Sequence, residues 1–235
     1  MDLTIIIPVK NEENNISNVI ESINSKIKIE YEILFIDDFS IDDTVKVIRN
    51  FQKENNKIKL ITNEVNGLGQ SIRNGIKHSN GKYLSILMCD GSDDLEDLNR
   101  YYLTIKDKNL DAVFGSRFLQ KSKIYDYPKF KLVLNRIFNY FVSLVYLNKY
   151  NDYTNAFKIY KKDALLKIEP IVSDSFNVFL ELPLKIINRK LNYKIISINW
   201  YGRKDGVSKF RFKELRSKYL FTLIYCLAEK ILLLK

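Results

Sequence analysis

An apolar run that stops in a cluster of carboxylates marks the chemistry of this chain: Gly81 to Asp97 reads GKYLSILMCDGSDDLED. Tyr83 to Cys89 is short, apolar and bounded by Gly81 and Gly91, the pattern of a buried strand. Asp90 then stands at the carboxyl end of that strand, where open α/β sheets bind their ligands. Asp93, Asp94, Glu96 and Asp97 follow at once. Hard cations such as Mg²⁺ take oxygen ligands, typically one or two carboxylates plus the phosphates of a nucleotide, and Asp90 is the candidate ligand. The later acids also suit a helix beginning near Leu95, capped by Ser92 or Asp93, whose dipole they complement.

A second acidic strand end lies at Asp37 and Asp38, after Tyr31 to Ile36. Two such ends suit a base or ribose on one and a diphosphate with its metal on the other. Arg117, closing the run Val113 to Arg117, is a candidate phosphate ligand, because its planar fork matches phosphate oxygens. Tyr201 to Lys209 is a basic loop, in which Gly202 and Gly206 permit close backbone approach and Arg203, Lys204 and Lys209 could close over phosphates. Glu181 stands in an otherwise apolar helical stretch, Ser175 to Asn188, where an unpaired carboxylate would be costly. With His78 the single histidine, neither a zinc-ligand set nor a Ser/His/Asp relay can be assembled.

The elements that must position these residues alternate. Leu3 to Val9 is a β-branched strand, followed by a helix carrying Ile16, Val19, Ile20 and Ile23. Tyr31 to Ile36 leads into a helix carrying Val45, Val47, Ile48 and Phe51, and Ile58 to Thr62 into a helix from about Gln70 to His78. Tyr83 to Cys89 is the fourth strand. Four βα units with polar or acidic junctions predict an α/β fold with a doubly wound, mostly parallel nucleotide-binding sheet. Asn66-Gly67-Leu68-Gly69 lacks the third glycine of a dinucleotide fingerprint and lies at the third junction, and no P-loop is present.

The ordered blocks resemble glycosyltransferase family 2, which has the GT-A fold. They are Ile7-Pro8-Val9-Lys10-Asn11-Glu12, Ile36-Asp37-Asp38-Phe39-Ser40, Asn66-Gly67-Leu68-Gly69 with Asn74-Gly75, and the Asp90 turn. Gly115-Ser116-Arg117, Asp152 to Tyr160, Glu181-Leu182-Pro183 and Arg203 to Lys209 continue the pattern of the polyprenyl (dolichyl) phosphate sugar synthases. The resemblance implies a hexosyltransferase that moves one sugar, with inversion, from a nucleoside-diphosphate donor to a polyprenyl phosphate. It implies donor contacts at Pro8, Asn11, Glu12, Asp37, Asp38, Gly67, Arg73 and Asp90. Acceptor phosphate contacts are implied at Arg117, Lys131, Asn135, Arg203 and Lys209, and Asp90, Asp152 and Arg203 are the catalytic candidates. Mg²⁺ or Mn²⁺ is the implied cofactor, although Met88 stands where the family's Asp-X-Asp motif has its first aspartate.

The 235 residues carry a net charge of +10, unevenly divided. Residues 1–118 hold 15 Lys+Arg against 19 Asp+Glu, and residues 119–235 hold 23 against 9. The acidic part suits a metal-nucleotide site and the basic part suits phosphates, of nucleic acid or of an anionic membrane. Nucleic acid is the poorer reading, since it leaves the acidic strand ends unexplained. Two apolar segments, Ile137 to Leu147 and Leu220 to Leu234, fall short of the roughly 20 residues that span a bilayer. Basic and aromatic residues at helical spacing near 127–150, and again over Leu215 to Lys235, read as amphipathic helices lying on the membrane. The expected division is a catalytic domain over 1–212 with a membrane-associating helix over 213–235, removable beyond Arg216 without loss of donor binding. A peripheral protein of the cytosolic face follows, without signal peptide or spanning helix. A homodimer or a partner membrane protein is the alternative occupant of the apolar surface. A soluble or lipid-linked glycan acceptor, or a catalytically weak nucleotide-sugar binding subunit, are the alternative functions.

Overall fold

Leu3–Val9 (β1) and Tyr31–Asp37 (β2) are buried at every position, which requires layers on both faces of their sheet. A computed structural model describes residues 1–202 and 212–233, with side chains from 217 onward in the second stretch. The elements after β1 are Glu13–Lys26 (α1), β2, Thr44–Glu54 (α2), Ile58–Thr62 (β3), Leu68–His78 (α3), Tyr83–Ile86 (β4), Leu95–Asp107 (α4) and Ala112–Ser116 (β5). There follow Ile124–Tyr125 (β6), Lys129–Tyr146 (α5), Lys158–Lys161 (β7), Lys162–Lys167 (α6), Val178–Asn188 (α7), Tyr193–Ser197 (β8), Trp200–Tyr201 (β9) and Phe212–Leu233 (α8).

The main sheet has the order β3-β2-β1-β4-β7-β5-β8. Strands β3, β2, β1 and β4 pair parallel, as do β5 and β8, whereas β7 runs antiparallel to both β4 and β5. The mostly parallel, doubly wound sheet is therefore present, with one reversed strand that the sequence pattern did not disclose. Alternation along β1 separates the two cores: Ile5 and Ile7 belong to the one shared with α1, α2 and α4, and Ile6 to the one shared with α3, α5, α7 and α8.

Three local expectations shift. Strand β4 ends at Ile86, three residues before Cys89, although Leu87 N–H still donates to the Ile6 carbonyl at 3.0 Å. The cap of α4 is Asp94, whose carboxylate accepts the Glu96 N–H at 3.2 Å, and not Ser92 or Asp93. The run Tyr193 to Trp200 is divided, because Trp200–Tyr201 leaves the main sheet to pair with Ile124–Tyr125. Helix α8 also belongs to the main core: Tyr219, Leu223 and Cys226 pack with α7 and the sheet. Removing the chain beyond Arg216 would open that core, so truncation is no clean probe of a membrane anchor.

Candidate active site

The carboxyl ends of β1, β2 and β4 border a cavity of about 460 Å³. Pro8, Glu12, Asp38, Gly67 and Met88 line it, with Asp174 and Lys218 at the far side. Asp38 is buried and accepts from Gly67 N–H at 2.7 Å, Asn63 Nδ2 at 3.1 Å and Lys10 Nζ at 3.4 Å. It thereby ties the ends of β1 and β2 to the start of α3. Asp37 is held more locally, both carboxylate oxygens facing Ser40 N–H at 3.3 and 3.4 Å. Asn11 adopts a left-handed φ of 52° and accepts from Ile41 N–H at 2.8 Å, while Glu12 is buried and accepts from Asn15 Nδ2 at 2.6 Å. Among the expected donor contacts, Pro8, Glu12, Asp38 and Gly67 meet at the cavity, and Asn11 and Asp37 brace its rim.

Gly67 has φ 142°, and a Cβ there would stand 2.8 Å from the Asp174 carbonyl oxygen; at Gly69 it would lie 1.9 Å from that of Ser173. These two glycines let segment 171–174 close against the start of α3. Arg73 is engaged with the same segment, donating through Nη1 to the Ile171 and Ser173 carbonyls at 3.1 and 2.8 Å. It supports the cavity wall through that contact. From the other side, Glu181 is fully buried and its two oxygens accept from Val172 and Ser173 N–H at 2.9 and 2.8 Å, with Lys185 Nζ at 3.2 Å.

Asp90 follows the end of β4 and accepts from Ser92 N–H at 3.1 Å across Gly91, whose φ is 68°. Asp93, which the sequence offered as a cap, instead turns toward the interior. It keeps partial contact with solvent, yet burial first, and then the Asp90 carboxylate, push its pKa up to about 8. The turn is bonded to the strand preceding the basic loop: Asp93 bridges Trp200, and Tyr201 N–H donates to Ser92 O at 2.9 Å. Arg203 and Lys209 lie outside the described residues.

Beyond this turn Arg117 and Asp152 face each other, both buried, with Nε to Oδ2 at 2.9 Å and Nη2 to Oδ1 at 2.7 Å. The Phe118, Tyr127 and Trp200 rings surround the guanidinium at 5.4 to 5.8 Å. Behind them Lys158 is fully buried on the Tyr153 and Asn155 carbonyls, and desolvation lowers its pKa to about 7 despite Asp152. Asn135 donates to Thr154 Oγ1 at 2.9 Å, fastening α5 to the loop after Asp152, and Lys131 on the same helix is exposed.

Against this geometry, the profile of the family described as "Glycosyl transferase family 2" matches residues 4–168. The chain belongs to glycosyl transferase family 2. A relative of this family 2 chain is the dolichyl-phosphate beta-glucosyltransferase of Dictyostelium discoideum, 28% identical over 216 residues, 84% of this chain and 66% of that protein. The chain thus spans just under two thirds of that relative's length. An uncharacterized protein of Methanocaldococcus jannaschii is 28% identical over 228 residues, 89% of this chain and 93% of its own length. In fold, the chain matches glucosyl-3-phosphoglycerate synthase of Mycobacterium tuberculosis, solved with Mg²⁺ and UDP. The TM-score is 0.71 at 14% identity over 96% of this chain and 79% of that one, which shows the GT-A architecture.

In the family 2 chain, Met88 offers a thioether to the cavity where a hard cation would want oxygen. Asp90 lies two residues on, in the turn that also carries Asp93, and the Asp90 charge adds to burial in raising the Asp93 pKa, a charge that a divalent cation would offset. Among the described residues no group of three or more His, Cys, Asp or Glu is placed to hold a metal alone. Two carboxylates completed by diphosphate oxygens meet the ordinary demand of Mg²⁺. Asp93, which the sequence placed in the acidic cluster and read as a cap, and Lys218, one of the charges of the Leu215 to Lys235 segment, are the charged groups that the fold brings to this region and that the sequence did not single out.

Proposed function

We propose that this family 2 glycosyltransferase moves a single hexose from a nucleoside-diphosphate donor to a polyprenyl phosphate, with inversion, at the cytosolic face of a membrane. The observation that carries the acceptor class is a pair of adjacent apolar helix faces, one of them on the helix that brings Lys218 to the cavity. Helix α5 exposes Phe130, Val133, Ile137, Tyr140 and Leu144, and α8 exposes Leu220, Phe221, Ile224 and Ile231. The helices lie side by side, with Phe138 against Tyr219 at 5.5 Å and Lys230 Nζ over the Tyr146 ring at 4.9 Å. So much exposed apolar surface beside cationic groups fits an interfacial seat, and no described helix is long and apolar enough to cross a membrane.

The chemistry needs little base catalysis. A phosphate monoester has its second pKa near 6, so the acceptor oxygen is already largely ionised near neutral pH. Asp38 is assigned to the base or ribose of the donor. Asp90, with Asp93, is the metal-holding set, and Mg²⁺ or Mn²⁺ when bound supplies positive charge to the departing diphosphate. Asp152 fixes the Arg117 guanidinium, which together with Lys131, Asn135, Arg203 and Lys209 is the acceptor-phosphate set. Catalysis in this reading is positioning plus charge stabilisation, with Asp90, Asp152 and Arg203 as its principal residues.

Purified protein, polyprenyl phosphate and a panel of radiolabelled nucleotide sugars test it. A lipid-linked monosaccharide is the expected product. No lipid product with any donor and either divalent ion overturns the acceptor assignment, and donor binding without transfer to any acceptor would favour a binding subunit.

A further inference from the structure

Carboxylates outnumber ammonium groups among the described charges that line the donor cavity. Among the described residues, two lysines, Lys10 and Lys218, stand against three carboxylates, Glu12, Asp38 and Asp174. A diphosphate entering this space meets more anions than ammonium groups among the described residues, and Lys10 already reaches Asp38 at 3.4 Å. Lys218 is placed differently. It comes from α8, far along the chain from the strand ends, and its Nζ donates to both oxygens of Asp174 at 3.1 and 2.9 Å.

The bases of these two side chains are fixed and their tips are in water. Asp174 is anchored by its backbone, whose carbonyl accepts Gly69 N–H at 3.1 Å. Lys218 precedes Tyr219, which is buried and donates through its hydroxyl to Phe176 O at 3.2 Å. The side chains themselves remain 42% and 63% exposed, so their ion pair is screened and readily exchanged. A diphosphate oxygen is a stronger competitor for the ammonium than one solvated carboxylate, because it carries more charge and further acceptor oxygens.

We propose that Lys218 is a phosphate ligand of the nucleoside-diphosphate donor, supplied by the C-terminal helix and parked on Asp174 until the diphosphate replaces that carboxylate. The inference rests on the nucleotide-sugar reading of the cavity and adds to it a binding residue outside the β-strand ends. Phe221 and Ile224, on the same helix, belong to the exposed apolar face. The helix that meets the lipid surface therefore also completes the donor site.

The two partners give opposite signs in one measurement. UDP and GDP, with uridine and guanosine as phosphate-free controls, are titrated calorimetrically into the full chain at fixed Mg²⁺. Lys218→Ala is expected to weaken the bound diphosphate on the order of tenfold, with the nucleoside unaffected, and Lys218→Arg to restore most of it. Asp174→Asn, which frees the ammonium and removes a carboxylate while keeping the backbone contact, is expected to tighten the diphosphate severalfold. If both variants weaken binding alike, or neither changes it, the ion pair is only structural and the inference is overturned. If wild type binds no diphosphate and no nucleoside, the nucleotide-sugar reading falls and takes the inference with it. Binding of diphosphate that ignores Lys218 leaves that reading standing and removes this residue alone.

Discussion

Arg117 and Asp152 form a two-pronged ion pair with side-chain exposures of 7% and 0%, and the Asp152 carboxylate also accepts Arg117 N–H at 2.9 Å. The fork geometry uses both carboxylate oxygens, and the aspartate holds its partner's backbone and side chain together. Such a pair orients a cation toward a ligand, and breaking it leaves a charge stranded in a low-dielectric interior.

Asp152→Ala should therefore lower stability by about 3–5 kcal/mol, the usual consequence of removing one member of a buried pair. Asp90→Ala, at the partly exposed turn, should leave stability within about 0.5 kcal/mol of wild type. Urea unfolding of both variants checks the contrast. Equal stability of Asp152→Ala and wild type would mean that the pair is not closed in solution.

Turnover should distinguish Asp90 from Asp38. Asp90→Ala should abolish transfer, because Met88 cannot replace the lost oxygen ligand, while nucleoside affinity persists. Asp38→Ala should chiefly raise the donor KM, since Asp38 organises Gly67, Asn63 and Lys10 around the cavity. Steady-state kinetics with varied donor separates them, and near wild-type kcat in Asp90→Ala would remove the metal assignment.

The raised Asp93 carboxyl makes stability depend on pH in a stated direction. Its pKa moves from 3.8 to about 8 on folding. Between those values the folded chain holds a proton that the unfolded chain has released, so the group's contribution is complete below about pH 4 and lost as pH rises through 8. Asp93→Asn should flatten the decline of melting temperature over that window. Buried Lys158, whose pKa falls from 10.5 to about 7, acts with the opposite sign above neutrality, stability rising with pH between those values. A melting profile identical in wild type and Asp93→Asn from pH 4 to 8 would refute the assignment.

Membrane attachment is best tested on the surface, not by truncation. Phe221→Asp with Ile224→Asp alters residues that are 62% and 58% exposed and leaves the Tyr219, Leu223 and Cys226 packing intact. The pair should abolish flotation with anionic liposomes and spare nucleotide affinity. The wild-type attachment should weaken with salt only in its electrostatic part, since apolar insertion is not screened. Unchanged flotation of the double variant would exclude α8 as an anchor, and a salt-insensitive oligomer lost on the same substitutions would assign the face to a second copy.

The sequence alone determined the parallel half of the sheet, because β1 to β4 are short apolar runs separated by amphipathic helices, the pattern of parallel βα units. It also placed Asp38, just past the end of β2, at the edge where the cavity opens, whereas Asp90 falls in a turn beyond the Ile86 end of β4 and outside the cavity lining. Three things were decided only in three dimensions. The reversed strand Lys158–Lys161 inserts between β4 and β5, a pairing across long loops that no local periodicity encodes. Asp93 acquires its raised pKa from enclosure beside Asp90, although in the chain it is one more acid before a helix. Lys218 reaches the cavity only because α8 packs its Tyr219 and Leu223 into the main core and carries the neighbouring ammonium to Asp174, 44 residues away in sequence. Local patterns record which face of an element is apolar; which distant charge shares its surroundings is set by packing.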